Sequence, residues 1–275
     1  MQIKFQHIEP HYLLKNYIEK MWLFTSSGKM LSDDLKLVVP NGNIKLTLSC
    51  QNGIVAEVNG KNFASKEYDI TLTGVIDVPV ILDVDKHSFS ETIGIEFNPL
   101  NAYRFFHFPL NEIQNQIHSV TDLLGNFGKQ IVEQTSNATT VQEKIMLLQK
   151  FLLKQLSLNS EDLIFDFCVE KITTSNGKVT INELEKKTGY SSRWLNMKFM
   201  NKLGISPKNL SSIVRFKHYY NGLITEERSP FLRNDFYEFY YDQSHFIKDF
   251  KRFTGLPPTK YLKQINEFGE TYYKV

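Results

Sequence analysis

The sequence has little cysteine, with only Cys50 and Cys168 in 275 residues. They form no CxxC pair, so no disulfide framework or cysteine-based metal knuckle can be read from them, and two buried reduced thiols are expected. Long apolar runs are also lacking. No stretch reaches the roughly 18–20 residues that a membrane helix needs. The start, MQIKFQHIEPHYLLK, places an acid and a proline where a signal peptide would have its apolar centre. No membrane partner and a cytoplasmic location are therefore expected. Missing too are a phosphate-cradling glycine loop, a GxSxG nucleophile turn and an HExxH zinc helix. The chain reads as a non-enzyme, with no catalytic residue, no metal and no cofactor.

What is present is globular: 41% hydrophobic and 23% charged residues, over a length sufficient for two cores. The net charge of +2 hides a division. Residues 178–275 hold 17 of the 32 Lys and Arg but 10 of the 30 Asp and Glu, a net +7, against −5 before them. A basic part behind an acidic one suggests a polyanionic partner for the second part.

In the first part, Leu13, Leu14, Tyr17, Ile18 and Met21 share the spacing of one helix face after Pro10. Short strand-like runs follow: MWLFTS, LKLVV, IKLTLS, IVAEV, YDITLTGV, VPVILDV and TIGIEF. Turn formers such as Pro40-Asn41-Gly42 and Asn59-Gly60-Lys61 separate several of them. Many short strands without helices between them predict an antiparallel barrel or sandwich over about residues 21–97. Helical periodicity then takes over. Thr140 and Glu143 predict a capping box before Ile145, Leu148, Leu152 and Leu156. A further helix from near Ser160 is expected to bury Leu163, Ile164, Phe167 and Cys168 and to end at Asn176-Gly177. The fold class expected is α+β: a 1–177 β-rich domain with C-terminal helices, then an all-α domain over 178–275.

The last part contains an internal repeat. At an offset of 51, Tyr190 meets Tyr241, Leu195 meets Phe246, Phe199 meets Phe250, Gly204 meets Gly255 and Pro207 meets Pro258. In each copy a helix buries residues four apart, a glycine stops it at positive φ, and a proline opens the next helix. Before the first copy, Thr180 and Glu183 predict a capping box for a short helix, and Gly189 a tight turn. Short helix, turn and second helix make a helix-turn-helix outline, clear in the first copy and blurred at the start of the second. The faces turned outward carry Arg193, Asn196, Met197 and Met200, then Ser244, Ile247, Lys248 and Lys251, with Gln243 and His245 at the helix start. Arg and Lys can pair with phosphates or guanine, and Asn and Gln with adenine. Two such helices about one DNA turn apart (roughly 34 Å) would read successive major grooves.

The run YYDQSHFIKDFKRFTGLPP, with GYSSRWLNMKF and GISP before it, resembles the DNA-binding domain of AraC/XylS-type transcription regulators, in which two helix-turn-helix units are joined by a long helix. Arg215 stands where that helix usually carries an arginine. The resemblance implies DNA contacts from Ser192, Arg193, Asn196 and Met197 in the first unit and from Gln243, Ser244, Lys248 and Lys251 in the second. Met197 replaces a usual arginine and offers an apolar contact instead. Asp235 and Phe239 replace a small alanine and the turn glycine of the second unit, and Tyr219 a usual alanine of the linking helix. The first part is similar to the β-rich sensor-type domain of one branch of these regulators through L-x-x-Y-I-x-x-x-W (Leu14, Tyr17, Ile18, Trp22), VVPNG (38–42) and IGIEFNPLNAYRFFHFPLNEI (93–113). The partners implied are double-stranded DNA, a small-molecule effector, RNA polymerase and, for a homodimer, a second copy of the chain. Such regulators include activators. The alternatives are a second unit turned to protein interaction, or an enzyme domain fused to a DNA reader.

Other constellations have plainer readings. His7 and His11 are separated by Pro10 and lack a further metal ligand. Asp83, Asp85 and His87 read as a solvated strand end. Ser244-His245 belongs to the outward helix start rather than to a nucleophile pair. Phe89, Phe97, Tyr103, Phe105 and Phe106 read as core, with a ligand pocket as the alternative.

Overall fold

The computed structural model describes residues 2–28, 33–83, 89–156, 161–226, 240 and 242–274. Among the described residues ten strands come first: β1 (Gln2–His7), β2 (Ile18–Ser27), β3 (Leu37–Val38), β4 (Ile44–Gln51), β5 (Val55–Val58), β6 (Lys61–Ala64), β7 (Ile70–Thr73), β8 (Val80–Asp83), β9 (Phe89–Phe97) and β10 (Ile117–Ser119). All seven strand-like runs of the sequence lie on strands; β1, β6 and β10 are additional. The pairings are antiparallel and make two sheets, β1-β2-β9-β4-β7-β10 and β3-β8-β5-β6. The sheets are not closed into a barrel; they are the two layers of a sandwich.

The helix expected after Pro10 is a single 3-10 turn, Tyr12–Leu14, with Leu14 buried and Leu13 about half exposed. Pairing of Ile18–Ser27 with both β1 and β9 takes the following residues into a strand, so tertiary hydrogen bonding overrides the helical spacing.

The large sheet has two buried faces. Ile44, Leu46, Leu48, Ile93, Ile95 and Phe97 point to a core shared with the helices. The alternate residues, including Trp22, Lys45, Thr47, Thr71 and Glu96, lie on the other face, beneath the small sheet.

The helices are α1 (Val120–Leu124), α2 (Asn126–Asn137), α3 (Val141–Leu156), α4 (Leu163–Thr174), α5 (Ile181–Thr188), α6 (Ser192–Leu203), α7 (Pro207–Glu226), α8 (Gln243–Thr254), α9 (Pro258–Tyr261) and α10 (Glu267–Lys274). Both capping boxes form. Thr140 and Glu143 exchange side chain-to-backbone bonds of 3.1 and 3.2 Å, and Thr180 and Glu183 bonds of 2.7 and 3.2 Å. In α4 the buried set is Phe165, Cys168, Val169 and Ile172; Leu163, expected inside, is 73% exposed at the first helical position. Asp162 caps that helix through the Phe165 amide, and the Phe165 ring packs 5.3 Å from Tyr103 and 4.9 Å from Phe199, so the buried face lies about one residue on from the expected one.

One hydrophobic core runs from Leu14 and the large sheet through α3 and α4 to α6, α7 and α8. Phe97, Phe105, Phe106 and Tyr103 belong to it and stay outside the lining of the cavity between the sheets, so the pocket alternative for these aromatics is replaced by core. Both thiols are buried, and burial pushes each up to about 11, the state of inert reduced cysteines. No described helix is long and apolar enough to cross a membrane.

Candidate functional site

The duplicated helices are alike in detail. Helix α6 is capped by Ser191, which accepts from the Trp194 amide, and α8 by Asp242, which accepts from the His245 amide. Both are 12 residues long and both stop at a left-handed glycine, Gly204 with φ +87° and Gly255 with φ +77°. Pro207 then begins α7 and Pro258 begins α9. Buried positions coincide at the offset of 51: Leu195 with Phe246, Phe199 with Phe250, Leu203 with Thr254. The short α5 and the left-handed Gly189 precede α6, giving helix, turn and helix. The corresponding leading segment of the second unit, with Asp235 and Phe239, lies outside the described residues.

Ser192, Arg193, Asn196 and Met197 on α6, and Gln243, Ser244, Lys248 and Lys251 on α8, are all exposed. Met197 is 62% exposed, an unusual place for so apolar a side chain. Helix α7 links the units. Its Arg215 donates to the Gly177 carbonyl at 3.1 Å, while Tyr219 is buried with its ring 4.7 Å from Phe246. Arg215 therefore supports the join between α4 and α7.

Basic residues flanking the outward faces are held by acids from the earlier part of the chain. Asp162 accepts Lys198 at 2.6 Å and lies 3.3 Å from Lys202. The same helix start is held from the sandwich side: Arg104 pairs with Asp166 at 2.9 Å, and the Tyr103 hydroxyl accepts the Asp162 amide at 2.7 Å. Asp77, on the loop after β7, accepts Asn209 of α7 and Arg252 of α8, each at 2.5 Å, and is oriented by Asn115 at 2.6 Å. Lys217 reaches Glu19 at 3.2 Å. The acidic-then-basic division is thus partly internal complementarity.

A second site lies on the covered face of the large sheet. Register sets Lys20 and Lys45 on either side of Glu96 as cross-strand neighbours. Glu96 is fully buried and accepts Asn41 at 2.6 Å, Asn43 at 3.0 Å, Trp22 at 3.3 Å and the Tyr272 hydroxyl from α10. Lys20 lies 3.4 Å away. Burial alone would raise the Glu96 pKa; Lys45, Lys20 and the hydrogen bonds from Tyr272 and Asn43 outweigh it and hold the carboxyl down at about 2. Next to this cluster, a cavity of about 110 Å³ separates the sheets, with Lys45, Thr47, Thr71 and Tyr272 among its walls.

The last helix returns to this face. Phe268 and Tyr272 pack with Trp22, Phe24 and Val38. Lys20 donates to the Tyr272 carbonyl at 2.8 Å, Asn266 binds both backbone groups of Leu37, and Asp34 accepts the Glu267 amide at 2.8 Å. Sequence patterns point to the outward helix residues but not to Glu96 or Tyr272. The only trace of the former is that three separately matched pieces, around Trp22, Asn41 and Glu96, here meet at one carboxylate.

No group of His, Cys, Asp and Glu suited to a metal occurs among the described residues. His7 lies 3.5 Å from Glu9, and His11 accepts the Leu13 amide. Asp83 ends β8, and Asp85 and His87 lie outside the described residues.

Residues 6–119, from within β1 to the end of β10, match the family described as "Domain of unknown function (DUF6597)". No curated protein matches the chain. Among solved structures, it is similar to ToxT from Vibrio cholerae, at 12% identity and TM-score 0.49 over 89% of this chain and 98% of that one. ToxT from the same organism with an unsaturated fatty acid bound gives 9% identity and TM-score 0.48 over 94% and 98%. The EutQ protein of Clostridium difficile covers only 34% of this chain and 61% of its own, at 5% identity and TM-score 0.27. All three TM-scores lie below 0.5.

Proposed function

We propose that this chain is a sequence-specific DNA-binding transcription regulator of the AraC/XylS type, cytoplasmic and controlled through its N-terminal sandwich. One observation supports this above all: two equal helices 51 residues apart, each with a side-chain cap, a glycine stop and a following proline at matching positions, presenting exposed faces. A major groove admits one such helix. Arg193 and Lys248 would pair with guanine edges or phosphates, Asn196 and Gln243 with adenine, and Met197 with a thymine methyl. Ser244 would face the bases beside them, and Ser192 and Lys251 would fix the register on phosphates. A regulator of this kind would also take a small-molecule effector and engage RNA polymerase, as an activator and as a homodimer.

The test is a mobility shift at fixed salt on a duplex selected from a random pool. Arg193→Ala and Lys248→Ala are each expected to weaken binding by about tenfold or more, from roughly 1–3 kcal/mol per base contact. Unchanged affinity and selectivity in both variants would remove the groove assignment.

A further inference from the structure

Accessible sulfur in this chain is methionine sulfur. Cys50 and Cys168 are buried, and burial pushes both thiols up to about 11, so neither offers a thiolate to an oxidant. A thioether has no proton to lose, and access decides whether it reacts. Of the six methionines, Met1 and Met30 lie outside the described residues. Met21 is sealed in the core and Met200 is half-buried. Met146 on α3 is 54% exposed, and Met197 on α6 is 62% exposed, the most open of the four described.

Position separates the two exposed thioethers. Met146 stands outside the outward stripes of α6 and α8. Met197 lies within the first of them, among Arg193, Asn196 and Met200. Arg193 is exposed and four residues earlier on the same face, within side-chain reach. The other cations of α6 are engaged elsewhere: Lys198 and Lys202 lie 2.6 and 3.3 Å from Asp162. A thioether accepts only weakly from a guanidinium. A sulfoxide oxygen, carrying a full dipole, accepts strongly.

We propose that Met197 is a site of reversible oxidation by peroxides, and that its sulfoxide disables the first outward helix as a reader of DNA. The loss of reading rests on the function proposed above; the oxidation site does not. In the step, a sulfur lone pair attacks one peroxide oxygen, and the S–O bond forms as the O–O bond breaks. The departing hydroxide takes the proton of the transferred oxygen and leaves as water. Sulfur gives up two electrons and the peroxide accepts them. Two losses follow for DNA. The apolar end that would meet a thymine methyl becomes polar, and a polar group pressed on a methyl without a donor is costly. The new oxygen also accepts from Arg193 and draws its guanidinium away from guanine or phosphate. Methionine sulfoxide reductases A and B, one for each sulfoxide epimer, reverse the change.

Graded hydrogen peroxide on the full chain, followed by peptide mass spectrometry and a mobility shift on a selected duplex, tests both parts. Met197 should gain its oxygen at least as fast as Met146 and ahead of Met200. Bound duplex should shield Met197 and leave Met146 reacting as before. Duplex affinity should fall about tenfold as Met197 sulfoxide accumulates, the scale of an unsatisfied polar group at an apolar contact, and return after treatment with both reductases. Met197→Leu keeps an apolar side chain without sulfur and should bind alike before and after peroxide. Met146→Leu should lose affinity as the natural chain does. In Arg193→Ala the same oxidation should cost less, because no guanidinium is left to divert. Three results would each overturn the proposal: Met197 still reduced when Met146 is fully oxidised, an equal loss of affinity in peroxide-treated Met197→Leu, or undiminished affinity once Met197 is fully oxidised. If the untreated chain retains no duplex, the DNA-reading function falls and the loss of reading falls with it, while mass spectrometry still decides the oxidation site.

Discussion

The indole N–H of Trp22 donates to the Glu96 carboxylate at 3.3 Å, and it can do so because Gly94 stands between them in the ladder without a side chain. A Cβ at Gly94 would lie 2.1–2.4 Å from three atoms of the Trp22 ring. Neither ring nor strand has room to yield, since Trp22 also packs on Phe5 and Tyr272. Gly94→Ala is expected to cost about 1–3 kcal/mol by overpacking, read as a lower urea midpoint at unchanged slope. Trp22→Leu in the same background should restore part of the loss; no restoration would mean that Gly94 acts through backbone freedom instead.

Glu96 also sets an acid limit. Its carboxyl is held at about 2 against an ordinary 4.5. A pKa lower in the folded than in the unfolded chain means that the unfolded state binds the proton first. The stabilisation is full above about pH 4.5 and is lost as pH falls toward 2. Glu96→Gln should remove this part of the acid sensitivity while lowering stability near pH 7 by about 3 kcal/mol, because Lys20 and Lys45 keep their charges beside it without the carboxylate. Urea melts of both chains across pH 3–7 measure it. Parallel pH dependence in the two would exclude Glu96 as the titrating group.

The contrast between these two sites explains what the sequence revealed. The 51-residue repeat, both capping boxes and the glycine stops at Gly189, Gly204 and Gly255 are local devices, encoded within a few residues of where they act. The Glu96 cluster is not local. It needs the register that sets Lys20, Glu96 and Lys45 side by side from three strands, and it needs Tyr272 from a helix far along the chain. Alternation in IKLTLS and TIGIEF marks one face as apolar; it cannot say that a second sheet covers the Lys, Thr and Glu face. For the same reason the helical spacing after Pro10 misled: strand pairing at a distance outranks it. The leading segment of the second unit, where Asp235 and Phe239 depart from the family pattern, lies outside the described residues.

Asp162 offers a test of how α6 is held. Its carboxylate caps α4 through the Phe165 amide at 3.1 Å and receives Lys198 and Lys202 from α6. Asp162→Asn keeps a capping oxygen and removes the charge, whereas Asp162→Ala removes both. The alanine variant should lose about 1 kcal/mol more than the asparagine one, the usual worth of a cap. Exchange of α6 amides should quicken in both. Equal stabilities would show that the cap contributes nothing and that the lysines alone matter.

Asp77 and Arg252 meet at 2.5 Å across the joint between the sandwich and α8, with Asn209 bridging them. Asp77 is buried and Arg252 partly exposed, so the acid cannot easily be solvated once its partner is gone. Arg252→Ala should therefore cost more stability than Asp77→Asn, which leaves a neutral amide still within reach of Asn115 and Asn209. The DNA consequence runs in the opposite sense. Arg252 lies beside Lys248 and Lys251 on α8, and freeing it would add one cation to the face proposed to meet phosphate. Asp77→Asn should steepen the salt dependence of duplex binding by up to about one counterion, a slope change near 0.9, while Arg252→Ala should leave or flatten it. Binding isotherms at several salt concentrations measure both slopes. A slope unmoved by Asp77→Asn would mean that Arg252, once released, does not face the duplex.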